Sequence, residues 1–120
     1  MRNMRMLVPI AFVLFIPRMV SAEVWTAHTT LEKEKSTSAR CGEVAISYTL
    51  NLTDTTFTAT SEYGKMFSIK VPADGVIKQT YKRPGSTGWW RFEMTGNVRS
   101  RELEIFVDNW HCYYKLTPDQ

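Results

Sequence analysis

The stretch from Asn109 to Leu116, NWHCYYKL, predicts the closing strand of a β-sheet protein. Its residues form two alternating faces, with Trp110, Cys112, Tyr114 and Leu116 on one and His111, Tyr113 and Lys115 on the other. This period of two is typical of a strand with one buried face. Cys112 is one of only two cysteines, and the other, Cys41, lies near the opposite end of the folded region. We therefore expect a disulfide that ties an early segment to the last strand.

The first 22 residues have the three parts of a secretory signal peptide. Arg2 and Arg5 precede an apolar run at 6–16, and Val20-Ser21-Ala22 fits the small-residue cleavage pattern. We expect cleavage after Ala22, which leaves residues 23–120 as a single domain that is periplasmic or secreted. The apolar run of about 11 residues is well short of the roughly 20 needed to span a bilayer. No stable membrane insertion is therefore expected after cleavage.

Removal of this segment changes the charge balance of the chain. The sequence has 15 Lys and Arg against 12 Asp and Glu, and Arg2, Arg5 and Arg18 lie in the signal segment, which contains no acid. The chain that is left has 12 residues of each sign and no global basic field. Nucleic acid is therefore not expected as a partner.

The two cysteines are expected to form a disulfide that stabilises the fold, because exported chains oxidise their cysteines. A loop of about 70 residues closed by Cys41 and Cys112 is expected to contribute ~4 kcal/mol by restricting the unfolded state. A metal site on the pair is not predicted, because no other His or Cys lies at ligand spacing from either one.

Eight alternating segments follow one another after the signal, and none has sustained helical periodicity. Their expected spans are 24–31, 44–50, 55–61, 67–71, 76–81, 89–95, 102–107 and 109–116. Between them we expect a solvated loop at 32–40, turns at 51–54, 74–75 and 96–97, and an open loop at 82–88. Short strands at intervals of roughly 8 to 12 residues predict an all-β fold, an antiparallel up-and-down meander. The meander closes as a small barrel of lipocalin- or streptavidin-like architecture, or packs as a sandwich.

The inward faces of these strands carry many aromatic residues. They are Trp25, Tyr48, Phe57, Phe67, Tyr81, Trp90, Phe92, Trp110 and Tyr114. An eight-stranded barrel has room for side chains that fill it, or for one small ligand. The aromatic volume favours a filled interior. If the interior is open, the ligand cavity is expected near Tyr48, Trp90 and Trp110.

Catalytic motifs are not found in the sequence. The only two histidines, His28 and His111, fall on outward positions, and both cysteines are expected to be bonded to each other. Neither G-x-S-x-G nor H-E-x-x-H occurs. We therefore expect a non-enzymatic protein without a metal or cofactor.

Four aromatic residues point outward on the last three predicted strands. We call Trp89, Phe106, His111 and Tyr113 the outer aromatic surface. Exposed aromatic patches often mark interaction sites. The alternatives are that a loop, the signal-proximal segment or a dimer partner covers the surface, or that the face assignment flips at Trp89-Trp90. The leading hypothesis is an exported protein that binds another molecule, in the first place an unknown protein, through this surface.

A set of short motifs runs through the mature chain. They are Trp25, Cys41, Phe67 to Val71, Asp74-Gly75, Gly96-Asn97 and Cys112-Tyr113-Tyr114. In this pattern the chain resembles small exported β-barrel proteins of Gram-negative bacteria. Those proteins are mostly of unknown function, so the resemblance implies fold and location only.

Two alternative functions stay open. One is a small-ligand carrier of the lipocalin or streptavidin type. The other is a lysozyme inhibitor, because the chain is similar to periplasmic inhibitors in size, export and a disulfide-closed barrel. Ser61 and Lys65 in SEYGKMF resemble the Ser and Lys that those inhibitors insert into the lysozyme cleft. The Gly-rich loop between the two residues is missing in this chain.

Overall fold

A computed structural model of the protein describes residues 22–85 and 88–119. The expected signal peptide, residues 1–22, lies outside this part of the chain except for Ala22, and its cleavage stays a prediction. The described residues form eight strands, which are β1 (Glu23–Leu31), β2 (Ser47–Leu52), β3 (Thr56–Ser61), β4 (Gly64–Lys70), β5 (Val76–Gly85), β6 (Gly88–Asn97), β7 (Glu102–Val107) and β8 (Cys112–Pro118). All of the neighbouring strands are antiparallel. The predicted all-β class is therefore confirmed.

The strands form one nearly closed, barrel-shaped sheet. Their order is β4-β3-β2-β1-β8-β7-β6-β5, so strands that follow one another in sequence pair, except β4 with β5, and β1 also pairs with β8. The pairing of the first and last strands confirms the predicted closure. The sheet stays open between β4 and β5, the two strands at its edges. Within the described residues there is no helix long and apolar enough to cross a membrane.

The closing strand begins three residues later than predicted. Asn109, Trp110 and His111 lie in a turn, and β8 starts at Cys112. The Asn109 side chain accepts a hydrogen bond from the Arg91 amide at 2.8 Å and donates one to the Trp89 carbonyl at 3.2 Å. The side-chain amide of Asn109 thus bonds to backbone groups of β6 within this turn, and β8 begins only after the turn. His111 has a φ of 56°, a left-handed conformation that a strand residue does not adopt.

The predicted open loop at 82–88 is also wrong, because β5 continues to Gly85 and β6 resumes at Gly88. The two strands pair along their whole length, with Gly85 opposite Gly88. A side chain at position 85 would collide with the indole of Trp90, so glycine lets that ring lie across β5. The longer strand places Arg83 on the inward face, in the same alternation as Tyr81.

Strand β2 begins at Ser47, whereas the alternation predicted a start at Val44. The Thr29 hydroxyl donates a hydrogen bond to the Val44 carbonyl at 2.6 Å and accepts one from the Ile46 amide at 2.8 Å. The Thr29 amide still donates to the Ile46 carbonyl at 3.1 Å, but the hydroxyl takes the return bond from the Ile46 amide, and residues 44–46 leave the regular sheet. The predicted turns at 51–54 and 96–97 begin later, because 51–52 and 96–97 still belong to β2 and β6.

The core fills one end of the barrel. The largest side chains that are fully buried are Phe57, Leu50, Met94, Ile105, Leu116, Val98 and Cys112. Inward and outward positions alternate along the strands as predicted, and each buried apolar side chain stabilises the fold by roughly 1.5–3 kcal/mol. A line of aromatic contacts connects this end to the other, in the order Trp25, Phe57, Phe67, Tyr81, Phe92, Trp90 and Trp110.

The predicted disulfide between Cys41 and Cys112 is present. It ties the irregular connection between β1 and β2 to the first residue of β8, across 71 residues of sequence. Such a bond is typical of an oxidising environment outside the cytoplasm.

Candidate functional site

A cavity of about 170 Å³ lies at the end of the barrel that the core does not fill. Its lining residues are Thr29, Val44, Ile46, Tyr48, Arg83, Trp90, Phe92, Ile105, Val107, Trp110, Cys112 and Tyr114. Nine of these twelve side chains are aliphatic or aromatic, and the other three are the polar Thr29 and Arg83 and the bonded Cys112. The cavity opens to solvent beside Val44, whose surface is 52% exposed.

The three residues predicted to surround a ligand cavity all line this one. Tyr48 reaches it from β2, Trp90 from β6, and Trp110 from the turn before β8. The rings of Trp90 and Trp110 meet edge to face, with their centroids 4.7 Å apart. Trp110 also lies 5.7 Å from the guanidinium of Arg40, which covers it from the β1–β2 connection. That a ligand occupies the cavity stays a prediction.

The disulfide and the irregular connection build the open side of the cavity. Cys112 lines the wall, and its bond to Cys41 holds the segment that contributes Val44 and Ile46. The hydroxyl of Tyr114 donates a hydrogen bond to the Gly42 carbonyl at 2.7 Å in the same segment. The cavity wall at 44–46 is therefore held by one covalent bond and by hydrogen bonds from Tyr114 and Thr29.

The hydroxyl groups of the wall are already paired within the protein. Tyr48 and Tyr81 share a buried hydrogen bond of 3.2 Å between their hydroxyls. Burial raises the pKa of both phenols, so both are neutral at physiological pH. The hydroxyl of Thr29 bonds to the backbone of Val44 and Ile46. These groups shape the cavity and keep few free hydrogen bonds for a ligand.

Arg83 differs from the paired hydroxyl groups of the wall. It was not predicted as a site residue, because it fell in the predicted loop at 82–88. Its Nε atom is buried and has no hydrogen-bond partner among the described residues. Its guanidinium lies 4.6 Å from the centroid of the Tyr63 ring and 5.9 Å from that of Phe92. None of the ion pairs found in residues 22–85 and 88–119 involves it. The cavity wall thus contains one cation and no carboxylate.

The outer aromatic surface forms only in part. The ring of Phe106 lies 4.7 Å from that of Tyr113 and 5.8 Å from that of His111, centroid to centroid. Trp89 is 62% exposed, and no ring contact in the described part of the chain joins it to the other three. Lys35, from the connection after β1, lies 5.6 Å from the centre of the Tyr113 ring. A loop therefore covers part of the surface, and its role in binding stays a prediction.

The serine and lysine that suggested a lysozyme inhibitor lie at the β3–β4 hairpin. Ser61 is only 5% exposed, and its hydroxyl accepts a hydrogen bond from the Tyr63 amide at 3.0 Å. The same hydroxyl donates to the Gly64 carbonyl at 3.4 Å. Lys65 is exposed. The serine is used to hold the hairpin, so this geometry gives the inhibitor hypothesis no support.

Two carboxyl groups, those of Glu32 and Glu104, flank Lys35 on the outside of the barrel. Glu104 accepts a hydrogen bond from Lys35 Nζ at 2.6 Å, and Glu32 Oε1 lies 3.9 Å from the same nitrogen. Glu32 Oε2 is buried and meets no hydrogen-bond donor among the described residues, so a proton on it can be donated to Glu104. That hydrogen bond, burial and the charge of Glu104 raise the pKa of Glu32 to about 7. Burial opposes ionisation of Glu104, but hydrogen bonds from Glu32 and Lys35 lower its pKa.

We expect this pair to make stability depend on pH. The folded state holds the Glu32 proton more tightly than the unfolded state, whose pKa is near 4.5. The contribution is thus complete below pH 4.5 and is lost as the pH rises towards 7. Because water screens a partly exposed group, we expect about 1 kcal/mol. Urea unfolding from pH 4.5 to 8 should show this decline in the wild type and a smaller one in Glu32→Gln. The same change at the exposed neighbour Glu34 is the control, and an equal effect there would contradict the assignment.

Comparison with known proteins adds no information on function, since no family model, curated protein or solved structure matches this chain.

In the described ranges, no group of three or more His, Cys, Asp or Glu residues is placed to hold a metal ion. His28 instead contacts Asp119, with 2.7 Å between Nδ1 and Oδ1.

Proposed function

We propose that this protein is an exported, non-enzymatic carrier that binds a small and largely apolar molecule in the cavity at the open end of its barrel. The observation that carries the proposal is the convergence of Tyr48, Trp90 and Trp110 on one apolar cavity of about 170 Å³. Small-molecule sites are mostly concave and apolar, with a few polar groups that orient the ligand. A periplasmic or secreted location is supported by the signal segment and the disulfide.

The size of the cavity limits the ligand. An apolar cavity of about 150 Å³ is large enough for benzene. The volume of about 170 Å³ therefore suits one aromatic ring with a short substituent, or an aliphatic group of similar bulk. Trp90 and Trp110 present a ring face and a ring edge at right angles, which favours a flat ligand.

A second candidate function is protein binding through the outer aromatic surface. It is supported by the contacts of Phe106 with His111 and Tyr113, and by the exposed side chain of Trp89. The cover that Lys35 provides over Tyr113 weakens it. We therefore use this surface as the control site in the experiment that follows.

The experiment is a titration with phenylacetamide, a neutral probe with one ring. About 0.5 kcal/mol per non-hydrogen atom, which lies within the range for small ligands, gives a dissociation constant of roughly 0.2 mM. Val107 lines the cavity, and Val107→Phe fills part of it. We expect this variant to weaken binding at least about tenfold, because the probe and the new ring compete for one volume. Calorimetry on the oxidised protein measures the effect.

Two control variants make the result specific. Val76 is 54% exposed and lies at the start of β5, outside the cavity, so Val76→Phe makes the same chemical change without filling it. The double variant Trp89→Ala, Tyr113→Ala alters the outer aromatic surface. Both should bind the probe as the wild type does. No binding to the wild type, or loss of binding only in the double variant, would contradict the proposal.

A further inference from the structure

We infer that the ligand of the cavity is an anion, a small monocarboxylate with an aromatic or aliphatic body, whose carboxylate pairs with Arg83. The inference rests on the proposed function and specifies the class of ligand. It is carried by the position of Arg83 on the inward face of β5 and by its unpaired, buried Nε atom.

The hydrogen bonds of Arg83 are incomplete, because its buried Nε atom has no partner among the described residues. A buried donor without a partner costs roughly 1–3 kcal/mol, and more when the group is charged. Native proteins therefore pair such groups, and an orphaned one calls for an explanation, such as an ion or ligand. The hydroxyls of Thr29, Tyr48 and Tyr114 in the same wall are all paired within the protein. Arg83 is thus the charged group of the wall that is left to bind a ligand.

Arg83 also places a positive charge in the cavity wall. Arg83 carries a full positive charge at every physiological pH. The ion pairs of the described residues involve other cations, and the cavity wall has no carboxylate. The rings of Tyr63 and Phe92 lie against the guanidinium and hold its plane, but they supply no counter-ion. A ligand with one negative charge would neutralise the site.

The shape of the guanidinium favours a carboxylate as the anionic group of the ligand. The planar fork of a guanidinium matches the two oxygens of a carboxylate, and such a charge-assisted bond is about twice as strong as a neutral one. Trp90, Trp110 and Phe92 supply rings for the apolar body, in a volume of about 170 Å³. Cation and rings together therefore fit a ligand with a carboxylate at one end and an apolar group at the other.

The test compares two probes of equal size, phenylacetate and phenylacetamide, which differ in charge. We expect the oxidised wild-type protein to bind phenylacetate at least about tenfold more tightly, as one charge-assisted hydrogen bond implies. Arg83→Gln should remove this preference, so that its affinities for the two probes agree within about threefold. Arg83→Lys keeps the charge without the fork and should retain part of the preference. Calorimetry at constant ionic strength gives all of the affinities.

Each outcome separates this inference from the proposed function. Equal affinities of the wild type for the two probes would overturn the carboxylate inference and leave the carrier function standing. A preference for phenylacetate that persists in Arg83→Gln would overturn the role of Arg83. If neither probe binds the wild type, both proposals fail. A melting curve shows that each variant is folded, and the ratio of its two affinities separates the loss of the preference from any loss common to both probes.

Discussion

Replacement of both cysteines, Cys41→Ala with Cys112→Ala, is expected to lower the free energy of unfolding by about 4 kcal/mol. The bond closes a loop of 71 residues, and the chain-entropy relation gives ~3 kcal/mol for 15 residues and ~4.7 kcal/mol for 100. Domains of this size have about 5–15 kcal/mol of stability in total. The disulfide thus supplies a large share. Urea unfolding at pH 7, with the midpoint and slope fitted separately, measures the loss.

The loss of the disulfide should also affect the cavity. The bond holds the segment that places Val44 and Ile46 on the wall, and without it the segment is held by non-covalent contacts such as the hydrogen bonds with Thr29 and Tyr114. We therefore expect weaker probe binding even under conditions in which the variant is folded. The reduced wild-type protein is the matched control and should behave as the variant does. A change in stability below about 1 kcal/mol in both would contradict the account of this bond.

Phe57→Ala is expected to cost about 4 kcal/mol, whereas Phe92→Ala should cost about half as much or less. Phe57 is 0% exposed and contacts Trp25 and Phe67, so its removal leaves a void in a packed region. Phe92 is only partly buried and already borders the cavity. Its removal enlarges an existing space that water can enter. Both values come from urea unfolding of the oxidised proteins.

This comparison tests the division of the interior into a packed end and an open end. The two substitutions remove the same side chain at two positions in one line of aromatic contacts, Phe57 in the packed region and Phe92 beside the cavity. Equal losses of stability would mean that the barrel is packed alike at both ends. This result would contradict an open end that can hold a ligand. Phe57→Leu, which keeps most of the apolar volume, should lie between the wild type and Phe57→Ala.

Alternation of apolar residues was sufficient to predict the eight strands, the closure of β1 on β8 and the disulfide. These features depend on the period of two and on the presence of only two cysteines. The same alternation placed Tyr48, Trp90 and Trp110 inward, and all three line the cavity. It did not decide whether the space between them is filled, because that depends on how rings from different strands meet.

The strand ends were predicted less well, for reasons that lie in single side chains. The Thr29 hydroxyl replaces one backbone hydrogen bond at the end of the β1–β2 ladder, and the Asn109 side-chain amide bonds to the β6 backbone. The segment Pro84-Gly85 has the composition of a loop, yet pairing with β6 keeps it in the sheet. Arg83 was missed for this reason, since a residue assigned to a solvated loop has no inward face.

The four tryptophans provide the most direct test of the central claim, that the cavity binds a small ligand. Their indole N–H groups give separate signals in a proton–nitrogen NMR spectrum, and each signal is assigned by its loss in a Trp→Phe variant. Trp90 and Trp110 line the cavity, Trp25 is buried at the packed end, and Trp89 lies outside. On titration with phenylacetate, the signals of Trp90 and Trp110 should shift together and saturate, while those of Trp25 and Trp89 stay in place. A shift of Trp89 alone, or no shift of any of the four, would contradict the account.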